Sequence, residues 1–294
     1  MTFKNLLFVA LLAITFTACK DDDDPQTATT EALNLNLTGL ENLGSDYAYE
    51  GWILVDGSPV TTGVFTVDAN GTPSKTSFDI DATQLDKATA FILTIEPSPD
   101  SDPTPSDVHI LAGDFSGTNA TLSVDHGAAL GNDFTTATGT YILATPTDGM
   151  NNNEKSGVWF LDPTAGPGPG LDLPTLPAGW KYEGWAVIGG TPVSTGTFTS
   201  ATGADDFGGF SGTMGGPPFP GEDFVQSAPA GLSFPTDLAG TTIVISIEPS
   251  PDNSTAPFLL KPLVALVDAA ATDHTPYTMN NNAAATNPTG TATK

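Results

Sequence analysis

Short apolar runs, broken every few residues by Gly, Pro, Asn, Asp or Ser, recur along the whole chain. Residues 52–55, 63–67, 90–95, 108–111 and 140–143 are rich in β-branched and aromatic side chains, which suit a pleated, half-buried surface. No stretch of a dozen residues keeps a helical period without a breaker, and one short helical turn is expected near residues 83–86. The pattern predicts an all-β protein built of antiparallel β-sandwich domains.

The same pattern occurs twice. Tyr49-Glu50-Gly51-Trp52 returns as Tyr182-Glu183-Gly184-Trp185, and the match runs without a gap to Phe65-Thr66 and Phe198-Thr199. Further on, Glu96-Pro97-Ser98-Pro99-Asp100 returns as Glu248-Pro249-Ser250-Pro251-Asp252, and Thr138-Gly139-Thr140 returns as Thr289-Gly290-Thr291. The offset grows from 133 to 152 between the first two blocks, so the second copy carries 19 more residues, all within 203–237. Internal repetition on this scale implies two tandem sandwiches. Module 1 is expected over 32–162 and module 2 over 171–294, joined at 163–170 by a stretch of Gly and Pro that lacks large apolar side chains.

These blocks resemble the extracytoplasmic domain of the anti-sigma-K factor family. The resemblance rests on Glu50 and Trp52, on Pro59-Val60 with Gly63 and Phe65, and on Thr94-Ile95-Glu96-Pro97 with Pro103-Thr104. The second copy keeps the first two pieces, has Ser246-Ile247-Glu248-Pro249 for the third, and drops the Pro-Thr pair. The resemblance implies a β module placed outside the cytoplasm. The sigma-binding segment and transmembrane helix that precede this domain in such factors have no counterpart in the sequence, so sigma-factor inhibition does not carry over.

The first residues agree with an exported protein. Lys4, an apolar run over 6–16 and the small pair Thr17-Ala18 precede Cys19. The run is about half the roughly 20 residues that span a bilayer, and it reads as a lipoprotein signal peptide over 1–18. Cys19 is the chain's one cysteine; it cannot form an internal disulfide and is expected to be lipidated. Residues 19–31, opening Lys20-Asp21-Asp22-Asp23-Asp24, form an acidic tether. They resemble the surface-export signal of Bacteroidetes lipoproteins, which implies the outer face of the outer membrane.

Composition narrows the partners. With Lys4 removed, seven cations face 34 acids, and every cation is Lys because the chain contains no Arg. Nucleic acid and anionic headgroups are repelled, and the bidentate guanidinium grip on phosphate or carboxylate is missing.

Few residues offer chemistry. Glu50 with Trp52, and Glu183 with Trp185, share a strand face. They suit either a sugar-stacking shelf or a buried Trp with a structural carboxylate, and the second is expected. Phe210, Phe219 and Phe224 lie in the long second-copy insertion and either present an aromatic surface or fold onto their own sandwich. Asp148, Asn151, Asn153 and Glu154 are rich in oxygen but lack the alternating spacing of a calcium loop, so no metal is expected there. His109, His126 and His274 fit no metal or nucleophile motif. No cofactor is expected. The sequence thus points to a non-catalytic surface lipoprotein in binding, adhesion or envelope structure, with an envelope protein or glycan as ligand. A polysaccharide-processing enzyme using Glu50 or Glu183 with Glu96 or Glu248 is the alternative, and an extracytoplasmic ligand sensor is a third.

Overall fold

The computed structural model describes residues 29–294. The expected signal peptide, Cys19 and all but the last three residues of the expected tether lie outside the described residues.

The fold is all-β. The first copy contributes β1 (Thr30–Thr38), β2 (Tyr47–Val55), β3 (Ser58–Phe65), β4 (Ser77–Asp81), β5 (Ala88–Pro97), β6 (His109–Ser116), β7 (Asn119–Leu122) and β8 (Thr138–Leu143). The rest of the chain adds β9 (Gly157–Trp159), β10 (Leu161–Asp162), β11 (Gly168–Pro169), β12 (Leu171–Asp172), β13 (Trp180–Ile188), β14 (Thr191–Phe198), β15 (Gly221–Asp223), β16 (Thr242–Pro249), β17 (Leu263–Leu266), β18 (Tyr277–Asn281) and β19 (Thr289–Thr293). The expected helical turn is α1 (Ala82–Lys87), capped by Asp81, whose carboxylate accepts from Thr83 N and Gln84 N. A second turn, α2 (Ala283–Thr286), precedes the last strand.

Period-two burial marks β1, β4 and β7, whereas β2, β5 and β16 are buried on both faces. In β1, Leu33, Leu35 and Leu37 are buried between exposed neighbours. Thr30 and Glu31, expected in the tether, pair in that strand with Asp81 and Ile80 of β4. A bulge at Thr62 of β3 faces Gly51 and Trp52 of β2, and one at Thr195 of β14 faces Gly184 and Trp185 of β13. Neither glycine has room for a side chain, because a Cβ would lie 2.9 Å from the Phe91 ring at Gly51 and 2.7 Å from the Phe160 ring at Gly184.

The strands form two large antiparallel sheets. The first runs β3-β2-β5-β6-β7-β19-β1-β4 and the second β14-β13-β16-β17-β18-β8-β9-β15, with β12 also pairing with β8. Each curls until its edges approach. Phe65 of β3 meets Phe78 of β4 at 6.2 Å. In the second sheet the loop after β14 ties the edges, Asp206 accepting from Thr197 N at 2.7 Å and Asp205 from Gly221 N at 2.8 Å.

The two copies exchange their closing strands. β19, the last strand of the second copy, lies between β7 and β1 of the first sheet, with Gly290 opposite both Leu122 and Leu37. Its counterpart β8 lies between β18 and β9 of the second sheet, with Tyr141 opposite Tyr277 and Leu143 opposite Val158. A local reason is visible. β8 and β9 are neighbours in sequence and pair antiparallel, a contact of low loop-closure cost. That pairing commits β8 to the second sheet and leaves the gap between β7 and β1 for β19.

The expected boundaries at 162 and 171 therefore do not separate the sheets. Residues 163–170 are not a spacer between bodies. They form an excursion within one strand line, where β10 pairs with β11 before the chain rejoins β8 through β12. Gly170 N donates to Phe160 O at 3.0 Å and Gly170 O accepts from Thr140 N at 2.7 Å. A Cβ at Gly170 would collide with Thr140 O, whereas one at Gly168 meets nothing closer than 3.8 Å. Gly170→Ala is thus expected to cost about 3 kcal/mol and Gly168→Ala little; urea unfolding of the two variants compares them directly.

One apolar core serves both sheets. It runs from Leu33, Tyr49 and Phe91 to Tyr182, Ile245 and Leu263. Phe134, from the first copy, meets Tyr182 of the second edge-on at 6.5 Å.

Candidate functional site

The Glu-Trp pairs lie on the sheet face opposite the main core. Tyr49 and Ile53 of β2 point into that core, while Trp52 packs in a separate small cluster with Ile92, Ala112 and Ala129. Trp52 and Trp185 are each 2% exposed, so neither is a sugar shelf. The Trp52 indole donates to Thr94 Oγ1 at 2.9 Å, and the Trp185 indole to Ser246 Oγ at 2.8 Å. Glu50 accepts from Thr61 Oγ1 and Glu183 from Ser194 Oγ.

The second carboxylates lie beside the first. Glu96 and Glu248 end β5 and β16 on that same face, and both are buried. Glu96 accepts from Ser106 N at 2.9 Å. Glu248 Oε1 accepts from Ser246 Oγ and from Phe258 N at 2.9 Å. Burial pushes the Glu248 carboxyl up to about 8 and Glu183 up to about 7. Burial also raises Asp252, at the end of the repeated Glu-Pro-Ser-Pro-Asp block, and Glu50 in the first copy.

The two Glu-Pro-Ser-Pro-Asp ends and the segment after β1 frame a cleft of about 590 Å³. Its walls include Glu41, Tyr47, Ser106, Asp107, Asp252 and Phe258. Burial raises Glu41 to about 7, opposed by the field of Lys261. Lys261 is itself held below the usual lysine range by burial, with Glu41 and Glu248 pulling it back.

The long insertion folds onto its own sheet. Phe224 is fully buried and Phe219 nearly so, and Phe210 packs on Phe224 at 6.0 Å and on Phe234 at 5.4 Å. Beneath it lie carboxylates that sequence reasoning missed. Asp223 accepts from the Trp159 indole at 2.7 Å and from Thr147 N at 2.8 Å. Glu222 accepts from Ser211 Oγ and from Phe210 N at 3.3 Å. Asp205 holds Gly221 N, and burial pushes it up to about 7.

The oxygen-rich loop is built as a turn. Asp148 accepts from Met150 N at 2.8 Å, Asn153 has a left-handed φ of 61°, and Glu154 accepts from Thr145 N at 3.3 Å. Met150 and the neighbouring Asn151 are exposed. Two histidines brace the loop at Ala128, and the third belongs to another loop. His109 Nδ1 lies 2.8 Å from Ala128 O, His126 accepts from Ala128 N at 3.1 Å, and His274 meets Asp273 at 3.0 Å.

A family model described as anti-sigma-K factor rskA, C-terminal, matches residues 25–108. The chain is similar to that family over this stretch. The match runs from before β1 to the residue before β6, and it includes Glu50, Trp52, Glu96 and the first-copy wall of the cleft. Searches among curated proteins and among solved structures found no match.

The raised carboxyls predict a pH dependence. Glu183, Glu248 and Asp205 hold their protons more tightly folded than at their ordinary values of 4.5, 4.5 and 3.8. The stability this confers is complete below about pH 4 and is lost as pH rises through about 7 to 8. In chelator, Tm is expected to fall by about 5 °C between pH 5 and pH 8.5, and Glu248→Gln should flatten the slope. A wild-type Tm independent of pH over this range would contradict the burial of these groups.

Proposed function

We propose that the protein is a non-catalytic, lipid-anchored binding protein of the outer cell surface, whose cleft takes an uncharged polyhydroxyl ligand such as a glycan. The observation that carries this reading is the cleft itself. It is concave, draws its walls from both copies, and combines Tyr47 and Phe258 with convergent oxygen atoms from Glu41, Ser106, Asp107 and Asp252. Acidic walls disfavour an anion, and a chain without Arg has no bidentate grip for one. The anchor rests on Cys19 and the acidic run behind it.

The hydrolase reading is weaker. Oxygens of Glu183 and Glu248 come within 4.8 Å of each other, near the separation of a retaining pair. These residues are only 6% and 1% exposed, however, so a sugar ring cannot lie between them. A ligand sensor is the second reading, favoured by the family match over residues 25–108; it shares the cleft and adds a membrane partner.

The test is a glycan panel titrated against full-length protein in detergent, with product analysis. Binding without turnover is expected, and Tyr47→Ala or Asp107→Asn should each weaken it about tenfold or more. Unchanged binding in both variants would move the ligand out of the cleft, and cleaved glycan would restore the enzyme. In cells, Cys19→Ser should abolish palmitate labelling; persistent labelling would remove the anchor.

A further inference from the structure

We propose that Glu183, Glu248 and Asp252 form a Ca²⁺ site behind the wall of the cleft, which Asp252 lines and the two buried glutamates do not. One carboxylate oxygen from each lies within 4.8 Å of one from both others. That spread matches ligands on opposite sides of an ion bound at about 2.4 Å, the Ca²⁺–oxygen distance. The donor set is oxygen alone, without thiolate or imidazole, which suits a hard cation and not Zn²⁺.

A second observation points at a ligand. Glu248 is 1% exposed and its Oε1 is committed to Ser246 Oγ and Phe258 N, while Oε2 is buried with no hydrogen-bond partner. A buried carboxyl oxygen with no hydrogen-bond partner is costly whether or not the group carries a proton, and a bound cation would take the proton's place. Protein cations do not relieve it, since Lys261 makes no ion pair within 4.0 Å among the described residues. An ion between the three groups supplies the missing partner.

The surroundings hold the ligands in place. The Trp185 indole donates to Ser246 Oγ at 2.8 Å, which turns the serine hydrogen toward Glu248. Ser194 does the same for Glu183. Such outer partners fix carboxylates around a metal. Asp252 is exposed and lines the cleft, leaving an entry path and room for water ligands.

The first copy is a built-in control. Its counterparts Glu50, Glu96 and Asp100 are not drawn into such a group. Thr94 replaces Ser246 there, and its hydroxyl turns to Glu50 O at 3.4 Å, away from Glu96. The chain is therefore expected to hold one ion at this position, not two.

Full-length protein in detergent, stripped with EDTA and dialysed, tests the site by titration calorimetry with CaCl₂ and by melting. One Ca²⁺ per chain is expected, with Kd on the order of 10⁻⁴ to 10⁻³ M, and 10 mM Ca²⁺ should raise Tm by about 3 °C or more. Glu183→Gln and the surface change Asp252→Asn should each weaken binding about tenfold or more. Asp100→Asn and Asp148→Asn should leave it unchanged. No heat and no Tm rise in the wild type would overturn the site. So would binding that survives Asp252→Asn and Glu183→Gln, binding that disappears with Asp148→Asn, or an equal Tm rise in NaCl at matched ionic strength.

Discussion

Deleting residues 289–294 is expected to unfold the first sheet, although the deletion lies at the end of the second copy. β19 is the central partner of both β7 and β1, and Ala292 is fully buried between them. Beyond it, Lys294 Nζ donates to Asp86 O at 3.0 Å and Ala88 O at 2.9 Å and lies over the Phe115 ring at 4.8 Å. Without β19, β1 keeps only β4, and the inner edge of β7 loses its ladder. Leu33, Leu35 and Leu37 then face water. The loss is on the order of a domain's whole stability, about 5 to 15 kcal/mol, and it should reach the second sheet through the common core. Hydrogen exchange reads the outcome. Amides of β1, β2, β5 and β7 should lose protection, and a synthetic peptide covering residues 287–294 should restore it. Full protection of the first sheet in the truncated chain would mean that the copies close independently.

How much of this was legible from the sequence depends on how local the signal is. The strands of the repeated blocks and the turn at α1 follow from apolar runs and breakers a few residues apart. The repeat itself announced two equivalent β modules, expected as tandem sandwiches. Which strand closes which sheet did not follow, because β8 and β19 open on the same Thr-Gly-Thr and suit either gap. That choice is made by β9, more than a dozen residues after β8, and by the C-terminus, about 170 residues after β7. Residues 163–170 misled for a related reason: Gly and Pro mark a linker and an excursion from a strand alike. At the site, the paired Glu and Trp were visible as a repeated motif. Their burial depended on which face of β2 and β13 a covering loop occupies. Asp252 had a signal, since the repeated block ends on Asp in both copies, but only the folded loop brings it to Glu183. Asp223 and Glu222 follow a Gly- and Pro-rich stretch with no period, where pattern reading has nothing to use.

Phe134→Ala provides the sharpest test of a single folding unit. Phe134 belongs to the connection between β7 and β8, and its left-handed φ of 59° is held by a bond from its N–H to Asn132 Oδ1 at 2.7 Å. Its carbonyl accepts from Asn281 Nδ2 at 2.8 Å. These contacts aim a fully buried ring at Tyr182, which stacks in turn on Phe198 at 5.7 Å. The first-copy ring thus fills space among second-copy aromatics. Truncation removes the transfer free energy of the ring and leaves a cavity that two stacked aromatics cannot easily close. The expected cost is about 3 to 5 kcal/mol, or a Tm lower by about 10 °C for a chain of this size. Calorimetry should show one transition, shifted as a whole, because both sheets share the core and exchange strands. Phe134→Leu, which keeps much of the volume, should lose less than half as much. If the copies were separate bodies, Phe134 would be a surface aromatic and its removal would shift Tm by less than about 1 °C. Two transitions, of which only one moves, would likewise show that the exchange does not couple the sheets.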